Sequence, residues 1–507
     1  MLFPSRRLRG LGFRVCTILS LLFLLLGLPQ PADPATAHVN WDRYLATRGH
    51  SSSQPRAQTI TTTNAASLTW RWTWDPPSYG DRGYPVGTNH IEVSPVVHDG
   101  VVYVGTTSGH LYALDEATGL PLAHDGSTSF WGSDGIDLGF SQLCPEKTPG
   151  AAVGIGDTAT VAHDGALDDD VIYIQSGPGP APGFSEPVDG RDVAGSDGGV
   201  YLNAIRTDGT KLWRVAVSHA TGSYPWSSPV VFGGHVYVGI ASWADCPLVR
   251  GGIKEFDQHT GALLHSWWAI RRGKLGAGVW TTPATDGSHL WATTGNGCCD
   301  DSFSMVKLNR NLLVLSRWRV PDLDADLDFG SSPTLFAATI HGTRTRMVGG
   351  CAKDGYFYAF RRSDLLAGPV WSAHVANAPA TQGRCLSAAV WNSRNRLLVG
   401  TPATYIQGTL VSGSVICLDP ATGKKVWQSA MPAPVIGTPT LDGAGVVAVA
   451  TYGRTSSTNR FALLDAATGG ALTTQDLGTT REFGQPVFAD DLVLQPTWND
   501  GLSAYSP

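Results

Sequence analysis

Along most of its length the chain repeats one pattern: a small or hydroxyl residue before Pro, an alternating apolar stretch, a short turn, a second stretch ending in Asp, a Thr-Gly turn, and a stretch carrying Trp. Ser94-Pro95 leads to Val101-Val102-Tyr103-Val104-Gly105, then to Leu111-Tyr112-Ala113-Leu114-Asp115 and Thr118-Gly119. Ser228-Pro229 leads to Val236-Tyr237-Val238-Gly239, then to Ile253-Lys254-Glu255-Phe256-Asp257, Thr260-Gly261 and Trp267. Further copies begin at Thr282-Pro283, Ser332-Pro333, Thr438-Pro439 and Gln485-Pro486, with weaker versions near Asp157-Thr158 and Ser387-Ala388. About eight starts result, most of them roughly 50 residues apart, which is the length of one four-stranded antiparallel unit. Alternation with period two marks half-buried strands. Each Thr-Gly provides a residue tolerant of positive φ where a hairpin must turn. Trp213, Trp267, Trp318, Trp371 and Trp427 recur on the outer strand, where a large ring can wedge against the next unit.

Units of this kind pack face to face around an axis, so the expected fold class is all-β: an eight-bladed β-propeller of four-stranded antiparallel blades, forming a single domain over residues 38–507. A length of 507 residues would allow two or three ordinary domains, but 60 Gly, 17 Trp and only 15% charged residues describe one turn-rich, aromatic-rich closed structure. A final blade left alone would expose an apolar face and an unpaired edge. From Gln485 onward there are residues enough for inner strands only. The missing outer strand is assigned to residues 68–74, whose Leu-Thr-Trp-Arg-Trp-Thr-Trp alternates and has no other partner, so the ring closes by joining an N-terminal strand to the C-terminal blade.

Residues 1–37 read as a secretory signal peptide. Arg6, Arg7, Arg9 and Arg14 precede an apolar run from Val15 to Leu28, and Ala35-Thr36-Ala37 offers a small-x-small cleavage site before His38. The run of about 14 apolar residues is shorter than the roughly 20 of a membrane-spanning helix, so an exported protein with no stable membrane anchor after cleavage is expected, in an extracellular, periplasmic or cell-wall space. Removing the leader takes away four Arg and one Asp and moves the formal charge from −6 to −9. Such a surface disfavours nucleic acid as a partner. Seven cysteines remain, an odd number; in an oxidising compartment most should pair, leaving one free or intermolecular.

The repeat resembles that of the quinoprotein, or PQQ-type, propeller family. Gly198-Gly199-Val200-Tyr201-Leu202-Asn203-Ala204, the turn at Asp208-Gly209 and Lys211-Leu212-Trp213 match its blade, and residues 412–427 do so again. The opening Trp41-Asp42-Arg43-Tyr44 through Asn64-Ala65-Ala66-Ser67-Leu68 is similar to the start of quinoprotein alcohol dehydrogenases and polyvinyl-alcohol-dehydrogenase-like proteins. The same propeller also serves as a non-catalytic scaffold, so fold alone does not assign chemistry.

The resemblance implies PQQ and Ca²⁺ as cofactors, with the quinone on the axis, stacked on a tryptophan. Gly276-Ala277-Gly278-Val279-Trp280 followed by Thr294-Gly295-Asn296-Gly297 resembles the segment that supplies this tryptophan and then an asparagine metal ligand. These roles suit a flat indole face and a hard amide oxygen. Leu327-Asp328-Phe329-Gly330 resembles the motif whose aspartate acts as general base on the alcohol, and Asp328 is also an expected metal ligand. The acidic run Asp322, Asp324, Asp326, Asp328 is no EF-hand, because Pro333 stands where its closing Glu belongs. Lys353, in Cys351-Ala352-Lys353-Asp354-Gly355, falls where the family places a cation against the quinone oxygens. Trp280 and Lys353 are thus the expected cofactor-binding residues, Asn296 and Asp328 the metal ligands, and Asp328 the catalytic base.

Two departures weigh against catalysis. Ala244-Asp245-Cys246-Pro247 resembles the segment carrying a metal-binding glutamate, but Cys246 occupies the glutamate's position. Asp245 lies one residue away, where period-two alternation would turn it to the other face. The vicinal pair Cys298-Cys299 also sits in a different blade from the adjacent cysteines that close over the quinone in several relatives. There is no Cys-x-x-Cys-His for an attached haem, and no hydrolase or nucleotide-binding motif. The expected function is oxidation of a small alcohol or polyol by hydride transfer to PQQ. The alternative is a cofactor-free propeller that binds a protein or glycan at its axial face.

Overall fold

A computed structural model describes residues 37–507 except 78–88, 126–128, 143–151, 179–182, 185–198, 322–325, 378–384, 393–395, 454 and 481–482. The leader, Cys144 and most of the Pro/Gly-rich stretch 177–199 therefore lie outside the described residues. Residues 38–507 form one compact unit of eight blades around an axis. The innermost strands of blades 1 to 8 are Val96–His98, Thr160–Asp164, Val230–Phe232, Ala284–Thr285, Thr334–Ile340, Ala389–Asn392, Thr440–Asp442 and Val487–Ala489. Each follows one of the starts read from the sequence. Blade 8 is completed by Thr69–Trp74, which pairs antiparallel with Leu502–Ser506, so the expected closure is present in the structure.

The tryptophan wedge has a defined partner. On Trp72, Trp213, Trp371 and Trp427 lies the Thr-Gly glycine of the next blade, respectively Gly119, Gly261, Gly423 and Gly469, all with positive φ. A Cβ on any of these glycines would collide with the indole ring. In three cases the indole N–H also donates into that blade: Trp72 to Glu116 O at 3.0 Å, Trp371 to Pro420 O at 3.0 Å and Trp427 to Ala466 O at 3.2 Å. The glycine thus serves two ends, a left-handed turn and a seat for the neighbouring ring.

Two rings of residues line the axis. The first is made by the start residues. The Ser94 N–H donates to Thr158 Oγ1, Thr158 N–H to Ser228 Oγ, Ser228 N–H to Thr282 Oγ1 and Thr282 N–H to Ser332 Oγ, at 2.9–3.2 Å. Ala388 N–H donates to Thr438 Oγ1 and Gln485 N–H returns to Ser94 Oγ. In six of the eight steps the backbone donor meets the next blade's hydroxyl; the steps out of Ser332 and Thr438 are missing, where Ala388 and Gln485 carry no hydroxyl. Two residues earlier in each blade stand Glu92, Gly156, Trp226, Trp280, Gly330, Leu386, Ile436 and Phe483, which all line a cavity of about 100 Å³ along the axis. In extended backbone, positions two apart share a face, which is why one residue per blade reaches the cavity at each level.

The opening segment threads across the axis. Trp41 exchanges two backbone bonds with Val97, and the carbonyls of Asp42, Arg48, Gly49, Ser51 and Ser52 accept the N–H of Val161, Thr285, Leu335, Trp391 and Leu441. The thread so satisfies donors on the inner edges of six blades that would otherwise need water. Leu45, Ala46, His50 and Ser52 take positive φ to follow this path. Half-buried Tyr44 also lines the cavity.

Candidate active site at the mouth of the axis

Three short, glycine-rich segments set the site. Gly251 N–H donates to Gly276 O, Ala277 N–H to Asn296 O, and Gly295 N–H to Gly278 O. A Cβ at Gly251 would strike Ala277, so the segments can approach only because side chains are missing there. This brings Trp280 to the cavity wall and Asn296 beside the loop of Asp245. In blade 5, Lys353 N–H donates to Asp328 O at 2.8 Å and Gly330 N–H to Cys351 O at 2.9 Å, placing the two charged residues side by side. The disulfide Cys351–Cys385 ties this strand end to the approach to blade 6.

Trp280, Asp328 and Lys353 converge. Trp280 Nε1–H donates to Asp328 Oδ2 at 3.2 Å. Lys353 Nζ is 2.8 Å from Asp328 Oδ1, 2.6 Å from Asp326 Oδ1 and 5.0 Å from the centroid of the Trp280 ring. Asp328 is 1% exposed. Its Oδ1 is held by the ammonium and its Oδ2 by the indole N–H, so both oxygens face a donor. Burial pushes the Asp328 carboxyl above the usual range, opposed by the Lys353 charge. Lys353 is itself raised: burial disfavours its charge, but the two carboxylates together outweigh it. The arrangement holds a buried base against a fixed cation beside an aromatic face.

The metal ligands are less complete. Asn296 Nδ2–H donates to Asp245 Oδ2 at 3.1 Å, so Asp245 shares the site with Asn296 and is not turned away. Alternation fails here because Ala244 and Asp245 lie in a turn, both with positive φ, and not in a strand. Cys246 is disulfide-bonded, which removes its thiol as a ligand. Cys298 and Cys299 are thiols with Sγ atoms 2.6 Å apart, on the loop that follows Asn296. Buried Cys417 is also free, so among the described residues three cysteines stand unpaired where one was expected; Cys298 and Cys299 are near enough to bond to each other, which would leave Cys417 as the one.

Sequence reasoning missed Glu92, Asp157, Trp226 and Phe483 at the mouth. Tyr224 O–H donates to Glu92 Oε2 at 2.6 Å, and Asp157 keeps Oδ1 buried without a partner. Burial raises both carboxyls. Trp226 packs tilted against Tyr224 and Phe483, at centroid distances of 4.5 and 5.8 Å. Glu92, Trp226 and Phe483 all stand two residues before a blade start, a signal legible once that position is known to face the axis.

A family description of the glucose/ethanol/alcohol dehydrogenase β-propeller domain matches residues 41–123, and one of the outer membrane protein assembly factor BamB matches residues 367–507. Both descriptions are of PQQ-type β-propellers, which the chain resembles over those two stretches. Among solved structures, the chain is similar to the quinohemoprotein alcohol dehydrogenase of Comamonas testosteroni (15% identity, 92% of this chain and 80% of that one, TM-score 0.64). It is similar also to that of Pseudomonas putida HK5 (14%, 92% and 80%, TM-score 0.66) and to a europium-containing methanol dehydrogenase (15%, 91% and 90%, TM-score 0.61). At such identities these likenesses carry the fold. No curated protein matches the sequence.

Proposed function

We propose that this propeller is an exported quinoprotein-type dehydrogenase that oxidises a small alcohol or polyol. The observation that carries the reading is the convergence of the buried Asp328 carboxylate, the Lys353 ammonium and the Trp280 indole at one end of the axis. These residues fit a flat, oxygen-rich quinone: an aromatic face to stack on, a cation for its carbonyl oxygens, and a buried carboxylate beside both. The Ca²⁺ set fits less well. Asn296 and Asp328 offer two oxygens, Asp245 is beside Asn296, and the cysteine in the glutamate's position is oxidised, against the six to eight oxygens Ca²⁺ takes. No step is therefore assigned to the ion.

When bound, PQQ supplies the hydride acceptor. Asp328 takes the proton of the substrate hydroxyl through Oδ1, and its raised proton affinity suits it to that role. Lys353 stays charged and stabilises negative charge growing beside it, while Trp280 both supports the ring and orients Asp328 through its N–H. Residues 1–37 are proposed to direct export, a reading supported by the cysteine bridges of the folded chain.

Calorimetric titration of the purified protein with PQQ, with and without Ca²⁺, tests this. Binding should occur and be lost in Trp280→Ala. Asp328→Asn should retain PQQ binding while turnover of alcohols falls by about 10²–10⁴-fold. Absence of PQQ binding overturns the reading and favours a cofactor-free propeller that holds a protein or glycan at its axial face, to which the oxidised Cys246 and the aromatic mouth of Trp226, Trp280 and Phe483 already lend support.

A further inference from the structure

At the seam where the ring closes, three distant parts of the chain meet: His38 ahead of the thread, Glu116 in the outer turn of blade 1, and Asp490 in the inner turn of blade 8. One His38 ring nitrogen and one carboxylate oxygen from each acid lie within 4.8 Å of one another. His38 Nδ1 is 2.6 Å from Asp490 Oδ2, and Asp490 Oδ1 accepts the Val39 N–H at 2.6 Å. Glu116 is only 4% exposed, and its Oε1 is buried with no hydrogen-bond partner. A buried carboxylate oxygen left in that state calls for a cation or a donor.

Backbone contacts fix Glu116 and His38 as well. Glu116 N–H donates to Gly100 O at 2.9 Å, and Glu116 O accepts the docking Trp72 N–H. Gly100 has φ +78°, and a Cβ there would press on the His38 ring at 3.1 Å. We infer that His38, Glu116 and Asp490 form a Zn²⁺ site that clasps blade 8 to blade 1. One imidazole nitrogen and two carboxylate oxygens, with a fourth position for water, is a donor set that Zn²⁺ accepts. Ca²⁺ is disfavoured by the nitrogen and by the small number of oxygens. The site is separate from Trp280, Asp328 and Lys353 and does not depend on the dehydrogenase reading.

The test uses EDTA-treated, tag-free protein carrying Cys298→Ser and Cys299→Ser, so that the adjacent thiols cannot take the metal. Titration with Zn²⁺ should show one ion per chain. At Zn²⁺ about a hundredfold above Kd, Tm should rise by about 2–4 °C, with no rise in Ca²⁺. His38→Ala and Glu116→Gln should each weaken binding at least about tenfold and abolish the shift in Tm. The His38 side chain is half-exposed, so its variant folds whether or not Glu116→Gln does. No Zn²⁺ binding, or binding unchanged in His38→Ala, overturns the site.

Discussion

The two ends of the axis follow opposite rules. Where the thread crosses, backbone groups are paired in series: carbonyls of residues 42–52 meet the inner edges of successive blades, and start residues hand a hydrogen bond from one blade to the next. At the mouth, Asp157 Oδ1 is buried without a hydrogen-bond partner, and a lysine is held between the carboxylates of Asp326 and Asp328. A protein gains stability from the first kind of arrangement and gives some up for the second, since unpaired buried oxygens are costly. At the mouth a buried carboxylate, a cation and an aromatic face come together, the setting in which a perturbed carboxyl is useful.

The closure should be the easiest part of this division to break. Thr69–Trp74 supplies the outer strand of blade 8, and Trp72 and Trp74 are both buried. Loss of one such ring costs about 3–5 kcal/mol, against a total stability of about 5–15 kcal/mol for a typical domain. Deleting residues 60–80 should therefore abolish cooperative melting altogether, as followed by circular dichroism, whereas substitutions at the mouth leave the melt intact. A soluble truncation that still melts cooperatively would show that the ring does not need its N-terminal strand.

A change of pH should separate the ends next. His50, in the thread, is buried and its Nδ1 is 2.7 Å from Pro333 O; burial lowers its pKa from 6.5 to about 4. The sign follows from which state takes the proton. Below pH 6.5 the unfolded chain binds a proton that the native ring refuses until about pH 4, so stability is full above pH 6.5 and falls as the solution is acidified through that window. At pH 4.5 the loss amounts to about 2–3 kcal/mol. His50→Gln, which keeps an N–H for Pro333 O, should remove that acid slope in urea unfolding compared at pH 7.5 and 4.5. An unchanged slope would place the acid sensitivity elsewhere.

What could be read from the sequence and what could not divides along the same line. The eight starts were legible because a hydroxyl before Pro, a Thr-Gly turn and a docking Trp are each demanded by local physics and recur with the blade. Thr69–Trp74 was legible because an alternating strand without a neighbour needs one. Trp280, Asp328 and Lys353 were legible through the family pattern, and they do meet. The thread was not, since residues 41–54 have no periodicity and Leu45, Ala46, His50 and Ser52 adopt a left-handed backbone that no propensity favours. Asp245 was turned the wrong way by an alternation rule that stops applying where the strand gives way to a turn. Glu92, Trp226 and Phe483 lie far apart in the chain and become neighbours only when the ring closes.

The smallest effect tests whether the chain of hydrogen bonds around the axis contributes at all. Ala388 makes one of its two gaps, because it carries no hydroxyl for the Ser332 N–H, and Gln485 makes the other. Ser387, one residue earlier, cannot stand in: its hydroxyl accepts the Gly400 N–H, as Ser227 and Ser331 accept Gly239 and Cys351 in their own blades. Ala388→Ser adds a single oxygen at a buried position of the same backbone geometry and should stabilise by about 1 kcal/mol, the net worth of one well-made hydrogen bond, seen as a small rise in the urea midpoint with no change in slope. A fall instead would mean that the new hydroxyl is buried without the Ser332 donor and that the blades are held at that level by packing alone.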